Sequence, residues 1–175
     1  MNESLLRRLF SEFLGTYAMV FVSAGAIVVD GVSGGTITCL GMALTSGLAV
    51  MVLIYTFGDT SGAHMNAAVT IGFTAAGRFP FRELLSYIGA QLVASLAAAG
   101  TLRLLFPKAL DLGMTLPSGS ALQAFVMELI ISTLLMVVAL MFLTVPRKRG
   151  LRPALLSVLR SLWGTFFRDP SAGVP

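Results

Sequence analysis

Four stretches of this chain are long and apolar enough to cross a membrane, and that fact limits its fold more than any other. A hydrocarbon core about 30 Å thick requires about 20 mostly apolar residues in a helix. The stretches run from about Leu9 to Val29, Leu40 to Phe57, Leu84 to Leu105 and Ala121 to Leu143. Backbone groups in lipid must satisfy one another, and helices do so within a single segment. An all-α membrane protein is therefore expected. Composition agrees: 56% of the 175 residues are hydrophobic and only 11% are charged, against about 25% charged in soluble domains. A soluble enzyme with a large core is excluded. Turn residues from Asp30 to Gly35 are expected to end the first span. Because that span holds Glu12 and lacks a small-residue cleavage site, it reads as a retained helix rather than a signal peptide.

The net charge of +4 reads as membrane sidedness, not as a nucleic-acid footprint. Arg7 and Arg8 precede the first span, Arg78 and Arg82 lie between the second and third, and Arg147, Lys148, Arg149 and Arg152 follow the fourth. If the spans alternate, all three groups lie on one side, facing Arg103 and Lys108 on the other. Cytoplasmic loops carry the excess of Lys and Arg. This predicts a multi-pass protein of the plasma membrane with a cytoplasmic N-terminus.

Between the second and third spans lies a shorter element. Asn66–Gly77 is apolar and compatible with a helix, but its dozen or so residues reach only about 18 Å at 1.5 Å each. It is either a re-entrant half-helix or an amphipathic connector on the surface, and pattern alone leaves both open. Ahead of it comes a polar stretch, Ser61-Gly62-Ala63-His64, with the chain's only histidine. Non-helical backbone at membrane depth is tolerated only where it is buried in protein or lines water. An extended Gly62–His64 segment would present its carbonyls as a ladder of acceptors. Asn66 would cap the half-helix with its side-chain oxygen and donate outward with its amide. The helix dipole would add positive potential there, disfavouring cations while a neutral oxygen binds.

Glu12 and Glu128 each lie within an apolar span. A carboxylate there is expensive and should face protein donors. Its possible roles are proton relay, ion site or acceptor holding a loop; a span that begins late would instead leave Glu12 near the interface. The two carboxylates belong to a faint internal echo, Ser11–Val22 against Met127–Val138, with Ser132 and Thr133 near the place of Thr16. Duplicated membrane folds leave such traces. Asp59, Ser61 and His64 do not read as a hydrolase triad, because they are local neighbours rather than groups converging from separate elements. One cysteine, Cys39, rules out an internal disulfide, and with one histidine it cannot make a soft-ligand metal site. No cofactor is implied.

These residues carry a family resemblance. Ser61–Gly72, SGAHMNAAVTIG, resembles the first signature loop of the aquaporin and glycerol-facilitator family, the major intrinsic proteins, whose pattern is SGAHxNPAVTxG. Glu12–Phe21 resembles the family's first helix, Gly77–Pro80 and Tyr87–Gln91 the start of its third, and Phe125–Met136 its fourth. The resemblance runs from about Ser4 to Leu143. It implies a passive channel for water or small neutral solutes such as glycerol, not an enzyme, and a homotetramer with one pore per subunit. Members have six spans and two half-helices in an inverted repeat, each half-helix presenting an Asn to the pore. Carried onto this chain, the pore-lining residues are Gly62, Ala63, His64, Asn66, Ala67 and Ala68, and Glu12 and Glu128 hold the re-entrant loops. Ala67 stands where the motif has proline, so the half-helix keeps a good helix former but loses a fixed start. Ser46 aligns with a position where many members place an aromatic wall of the outer filter; serine would widen and polarise it.

After Leu143 the expected fifth helix and second signature do not appear. Residues 146–175 form a basic tail, six of the chain's twelve Lys and Arg residues lying between Arg147 and Arg168. It reads either as a basic amphipathic helix on the membrane face or, the favoured expectation, as the product of a shifted reading frame. The overall expectation is an incomplete aquaporin-like right-handed helical bundle of about four transmembrane helices and one re-entrant half-helix over residues 1–145, followed by the atypical tail. The alternative function is a truncated, non-conducting membrane protein.

Overall fold

The computed structural model describes residues 3–109, 111–114 and 119–144; the tail from 146 to 175 and its reading-frame expectation lie outside them. The described residues form five helices: α1 (Glu3–Val32), α2 (Thr38–Ser61), α3 (Ala67–Ala75), α4 (Phe81–Leu105) and α5 (Ala121–Thr144). All but α3 are long and apolar enough to cross a membrane. The chain divides into two compact units, residues 1–118 and 119–175.

In the first unit α1 packs against both α2 and α4, and α3 lies against α4. The buried face of α4 is a single stripe, Tyr87, Gln91, Ala94, Ala98 and Leu102, at the three- and four-residue spacing that puts side chains on one side of a helix. Ala94 and Ala98 are fully buried, and a Cβ on Gly25 of α1 would come within 3.5 Å of Leu102. Small residues bring the two backbones close, which is how helices associate where lipid offers no hydrophobic drive. Across the same seam the Tyr17 hydroxyl donates to Thr101 Oγ1 at 3.0 Å. On α2, Leu40, Leu44, Leu48 and Val52 all point outward, a leucine-rich stripe suited to lipid.

α1 runs past the turn residues expected to stop it: Asp30, Gly31 and Val32 are helical. The reason is local. Asp30 closes the following turn by accepting from the backbone N–H groups of Ile37 and Thr38, both at 2.9 Å. These donors at the start of α2 would otherwise be orphaned. The short element is a nine-residue helix, α3, about 14 Å long. It ends earlier than the sequence pattern suggests because Arg78 N–H bonds back to the Phe73 carbonyl at 2.8 Å, with Gly77 at φ +67°, a left-handed closure that favours glycine.

In the second unit, Ser120 starts α5: its hydroxyl accepts from Gln123 N–H at 3.2 Å and its carbonyl from Ala124 N–H at 3.0 Å. Glu128 lies about two turns into this helix.

Candidate functional site

The polar loop between α2 and α3 is the most constrained backbone in the first unit. Gly62, Ala63 and Met65 all have positive φ, at 91°, 49° and 49°. The extended Gly62–His64 segment expected from the sequence is therefore corrected to a left-handed turn. Alanine and methionine held there cost about 1–2 kcal/mol each, and something must offset it. The turn aims consecutive N–H groups at one carboxylate. Glu12, fully buried on α1, accepts from His64 N–H at 2.9 Å and Met65 N–H at 2.7 Å. It also accepts from the Ser61 hydroxyl at 2.7 Å and from Gln91 Nε2 at 2.8 Å. Four donors fill the two oxygens, and hydrogen bonds to a carboxylate are about twice as strong as neutral ones. Ser61 Oγ in turn accepts from Ala63 N–H at 3.1 Å. Glu12 thus holds the turn through its N–H groups, and among the described residues the carboxylate layer uses none of the carbonyls of Gly62, Ala63 and His64.

A second layer lies one helical turn away. On α1, Arg8 precedes Glu12 by four residues; on α4, Tyr87 precedes Gln91 by four. Arg8 Nε donates to the Tyr87 hydroxyl at 2.9 Å, so that hydroxyl donates onward to the Ser61 carbonyl at 3.0 Å. Arg8 also pairs with Glu83 at 2.7 Å and lies over the rings of Phe79 and Tyr87, 5.7 and 5.3 Å from their centroids. The same rings, with Phe73, surround the His64 imidazole at 4.6 to 5.5 Å. Met65 is nearly fully buried against Gly15, where an added Cβ would meet its sulfur at 2.8 Å. Glu12 and Arg8 on one side, Tyr87 and Gln91 on the other, clasp the loop between α1 and α4.

Asn66 follows at φ −154°, ψ 131° and caps α3: its Oδ1 accepts from Ala68 N–H at 2.8 Å and Val69 N–H at 3.4 Å. With its oxygen turned into the helix, the side chain keeps its amide Nδ2 as an outward donor. Asn66, Gly62 and Ala68 are exposed on the surface of this unit, while Ala63 and His64 are buried. The geometry thus makes a mouth of one amide donor, a glycine and helix N-terminal potential, on a base that is rigidly bonded from behind. The group it turns outward is a neutral hydrogen-bond donor.

The structure brings together Glu12, Gly62, Ala63, His64, Asn66, Ala67 and Ala68. Ser46 lies elsewhere, half-buried on α2, about 22 Å along the helix axis from Ser61. Glu128 belongs to α5 in the second unit. Sequence reasoning does not single out Arg8, Met65, Tyr87 or Gln91 as parts of the anchor. Tyr87 and Gln91 carried a signal, polar groups four apart in an apolar span; Met65 carried none, since its place rests on a positive φ.

Residues 1–162 match the family model described as Major intrinsic protein, beyond Leu143 where the motif resemblance stops. The chain is 44% identical to a protein of Arabidopsis thaliana named Probable aquaporin NIP4-2 over 172 residues, which cover 97% of this chain and 60% of that protein. It is 45% identical to Aquaporin NIP1-2 of the same plant over 141 residues, 76% of this chain and 48% of the relative. It is 42% identical to Aquaporin NIP6-1, also from Arabidopsis thaliana, over 149 residues, 85% of this chain and 49% of the relative. The chain spans about half the length of the curated relatives it matches.

Proposed function

This chain belongs to the major intrinsic protein family and is a multi-pass membrane protein, and from that premise we propose that it contributes a pore loop to a passive channel for water or small uncharged solutes such as glycerol. The observation that carries the reading is the orientation of Asn66. Its oxygen caps α3, so its amide donor is the group offered to a passing molecule. Fixed donors at a helix N-terminus suit a neutral oxygen and repel cations. The names of the relatives, each an aquaporin, support the same reading. Gly62, Ala63 and His64 contribute to the path, Ala67 and Ala68 form the first turn beside Asn66, and Ser46 forms a polar wall of the outer filter. Glu128 is the loop-holding counterpart of Glu12. The channel lies in the plasma membrane with its N-terminus cytoplasmic, the side of Arg7, Arg8, Arg78 and Arg82, and assembles as a homotetramer.

The test is osmotic. The full chain in liposomes is mixed rapidly with a sucrose gradient, then with a glycerol gradient. Shrinkage faster than in protein-free vesicles supports a water path, and faster re-swelling in glycerol adds the larger solute. Rates equal to protein-free vesicles in both refute the channel and favour a non-conducting membrane protein.

A further inference from the structure

The Thr70 hydroxyl sits at a junction whose donors and acceptors can be counted among the described residues. Thr70 is fully buried on α3. Its Oγ1 lies 2.9 Å from the Asn66 carbonyl, 3.0 Å from Gln91 Nε2 and 3.2 Å from His64 Nδ1, with a longer approach of 3.5 Å to Gln91 Oε1. A hydroxyl has one proton and two lone pairs. Gln91 is oriented by Glu12, because its Nε2 donates to the carboxylate at 2.8 Å; the same amide can only donate to Thr70, filling one lone pair. The Asn66 carbonyl can only accept, so it takes the hydroxyl proton, in the bond to the preceding turn that helical threonines commonly make. Were the proton sent to His64 instead, two oxygens would face each other unbridged at 2.9 Å. One lone pair remains, and it faces His64 Nδ1.

We propose that Thr70 is a positioning residue that fixes the tautomer of His64, with the proton on Nδ1 donated inward to Thr70 and Nε2 left bare as an acceptor. The state of one ring nitrogen is set by the bond the other makes. The ring has little freedom to escape this: Phe73, Phe79 and Tyr87 close around it. Its other edge faces Gly62, where an added Cβ would stand 3.2 Å from both Cδ2 and Nε2. Gly62 is exposed on this unit, so the bare Nε2 lies behind the glycine at the mouth. The loop then offers a donor at Asn66 and an acceptor at His64, one after the other, and orders the hydrogens of a passing hydroxyl by their alternation. This last step rests on the channel reading; the tautomer does not. Thr70 touches no permeant. It acts through His64, and Gln91 links it to the carboxylate that holds the loop.

The chain's single histidine makes the test clean. The full chain, labelled with 15N-histidine, is placed in lipid vesicles at pH 8, where an ordinary imidazole with pKa about 6.5 is neutral. Solid-state NMR then shows which ring nitrogen carries the proton. Expected is one species protonated at Nδ1 and bare at Nε2. Thr70→Ser keeps the hydroxyl and should keep that spectrum. Thr70→Val keeps the shape and removes the acceptor, and should move the tautomer ratio toward Nε2–H by about fivefold, the worth of one ordinary hydrogen bond. A wild-type spectrum protonated at Nε2 overturns the proposal whatever the variants do, as does a Thr70→Val spectrum identical to wild type. Water flux measured on the same vesicles separates the two readings. An Nδ1–H spectrum without flux refutes the channel and leaves the tautomer standing; flux with an Nε2–H spectrum does the reverse.

Discussion

Glu12→Gln should release the loop between α2 and α3 while leaving the helices packed. The substitution keeps the shape of the side chain, so no cavity forms, but one oxygen becomes an amide donor. Each carboxylate oxygen accepts from one loop N–H: Oε1 from His64, Oε2 from Met65. Whichever oxygen is replaced, one of these buried N–H groups then faces another donor. The other partners adapt more easily. Ser61 can turn its hydroxyl toward the Phe57 carbonyl, already 3.4 Å away, and Gln91 can rotate its amide. The loop therefore loses one charge-assisted bond outright, worth about 1.5–3 kcal/mol, and the surviving bonds weaken toward neutral strength. Easier burial of the neutral amide offsets part of this. A net loss of about 3 kcal/mol in the free energy of local opening is a little over a hundredfold in its equilibrium constant. Hydrogen exchange of the chain in nanodiscs reads it directly. The amides of His64 and Met65 should exchange about a hundredfold faster, while those of Ala94 and Ala98, on the buried stripe of α4, should not change. Loop exchange within threefold of wild type would refute the anchoring role. Equal acceleration of loop and stripe would show that Glu12 supports the bundle as a whole.

Two further substitutions probe the loop from either end. Asn66 already has the β-region backbone, φ −154° and ψ 131°, that a residue preceding proline prefers, and Ala67 occupies the first helical position. Ala67→Pro should therefore stabilise the protein by about 0.4–1 kcal/mol through the unfolded chain, seen as a small rise in detergent Tm; a fall would mean that the Ala67 N–H has a necessary partner. Gly15→Ala places a methyl against Met65, but the clash is with the mobile end of a thioether, so the cost should be about 1–3 kcal/mol. Combined with Met65→Ala, the two losses should be less than additive in a double-mutant cycle of thermal stability, and simple additivity would contradict the packing of Met65 on Gly15.

The spans were legible because hydropathy is a property of long windows, and the structure places four helices on the four apolar stretches. Their ends were not. α1 extends from Glu3 to Val32 because backbone bonding continues through polar residues that a hydropathy scan discards, and because Asp30 serves the next helix from inside its own. The half-helix was legible as too short to span, and Glu12 as a carboxylate in need of donors. That those donors would be consecutive N–H groups of a left-handed turn was not, since alanine and methionine at positive φ carry no local sign of it. The second rung, Arg8 with Tyr87 and Glu83, could be glimpsed only in hindsight: three polar groups on one stripe of an apolar helix pair require one another, but which pairs with which depends on the crossing of α1 and α4. Thr70 looks like an ordinary member of an apolar helix until its three neighbours, Asn66, Gln91 and His64, are in place.

If Asn66 presents a donor to a permeating molecule, Asn66→Asp should abolish permeation while sparing the fold. Aspartate caps a helix as well as asparagine does, so the bonds to Ala68 and Val69 remain and the fold is kept. The outward amide donor is lost and a negative charge takes its place. Stopped-flow shrinkage of proteoliposomes matched for protein content compares the two forms of the full chain. The wild type should show water permeability above protein-free vesicles, and Asn66→Asp a fall to the protein-free rate with an unchanged Tm. Equal permeability in the two forms, or a wild type no faster than bare lipid, would contradict it.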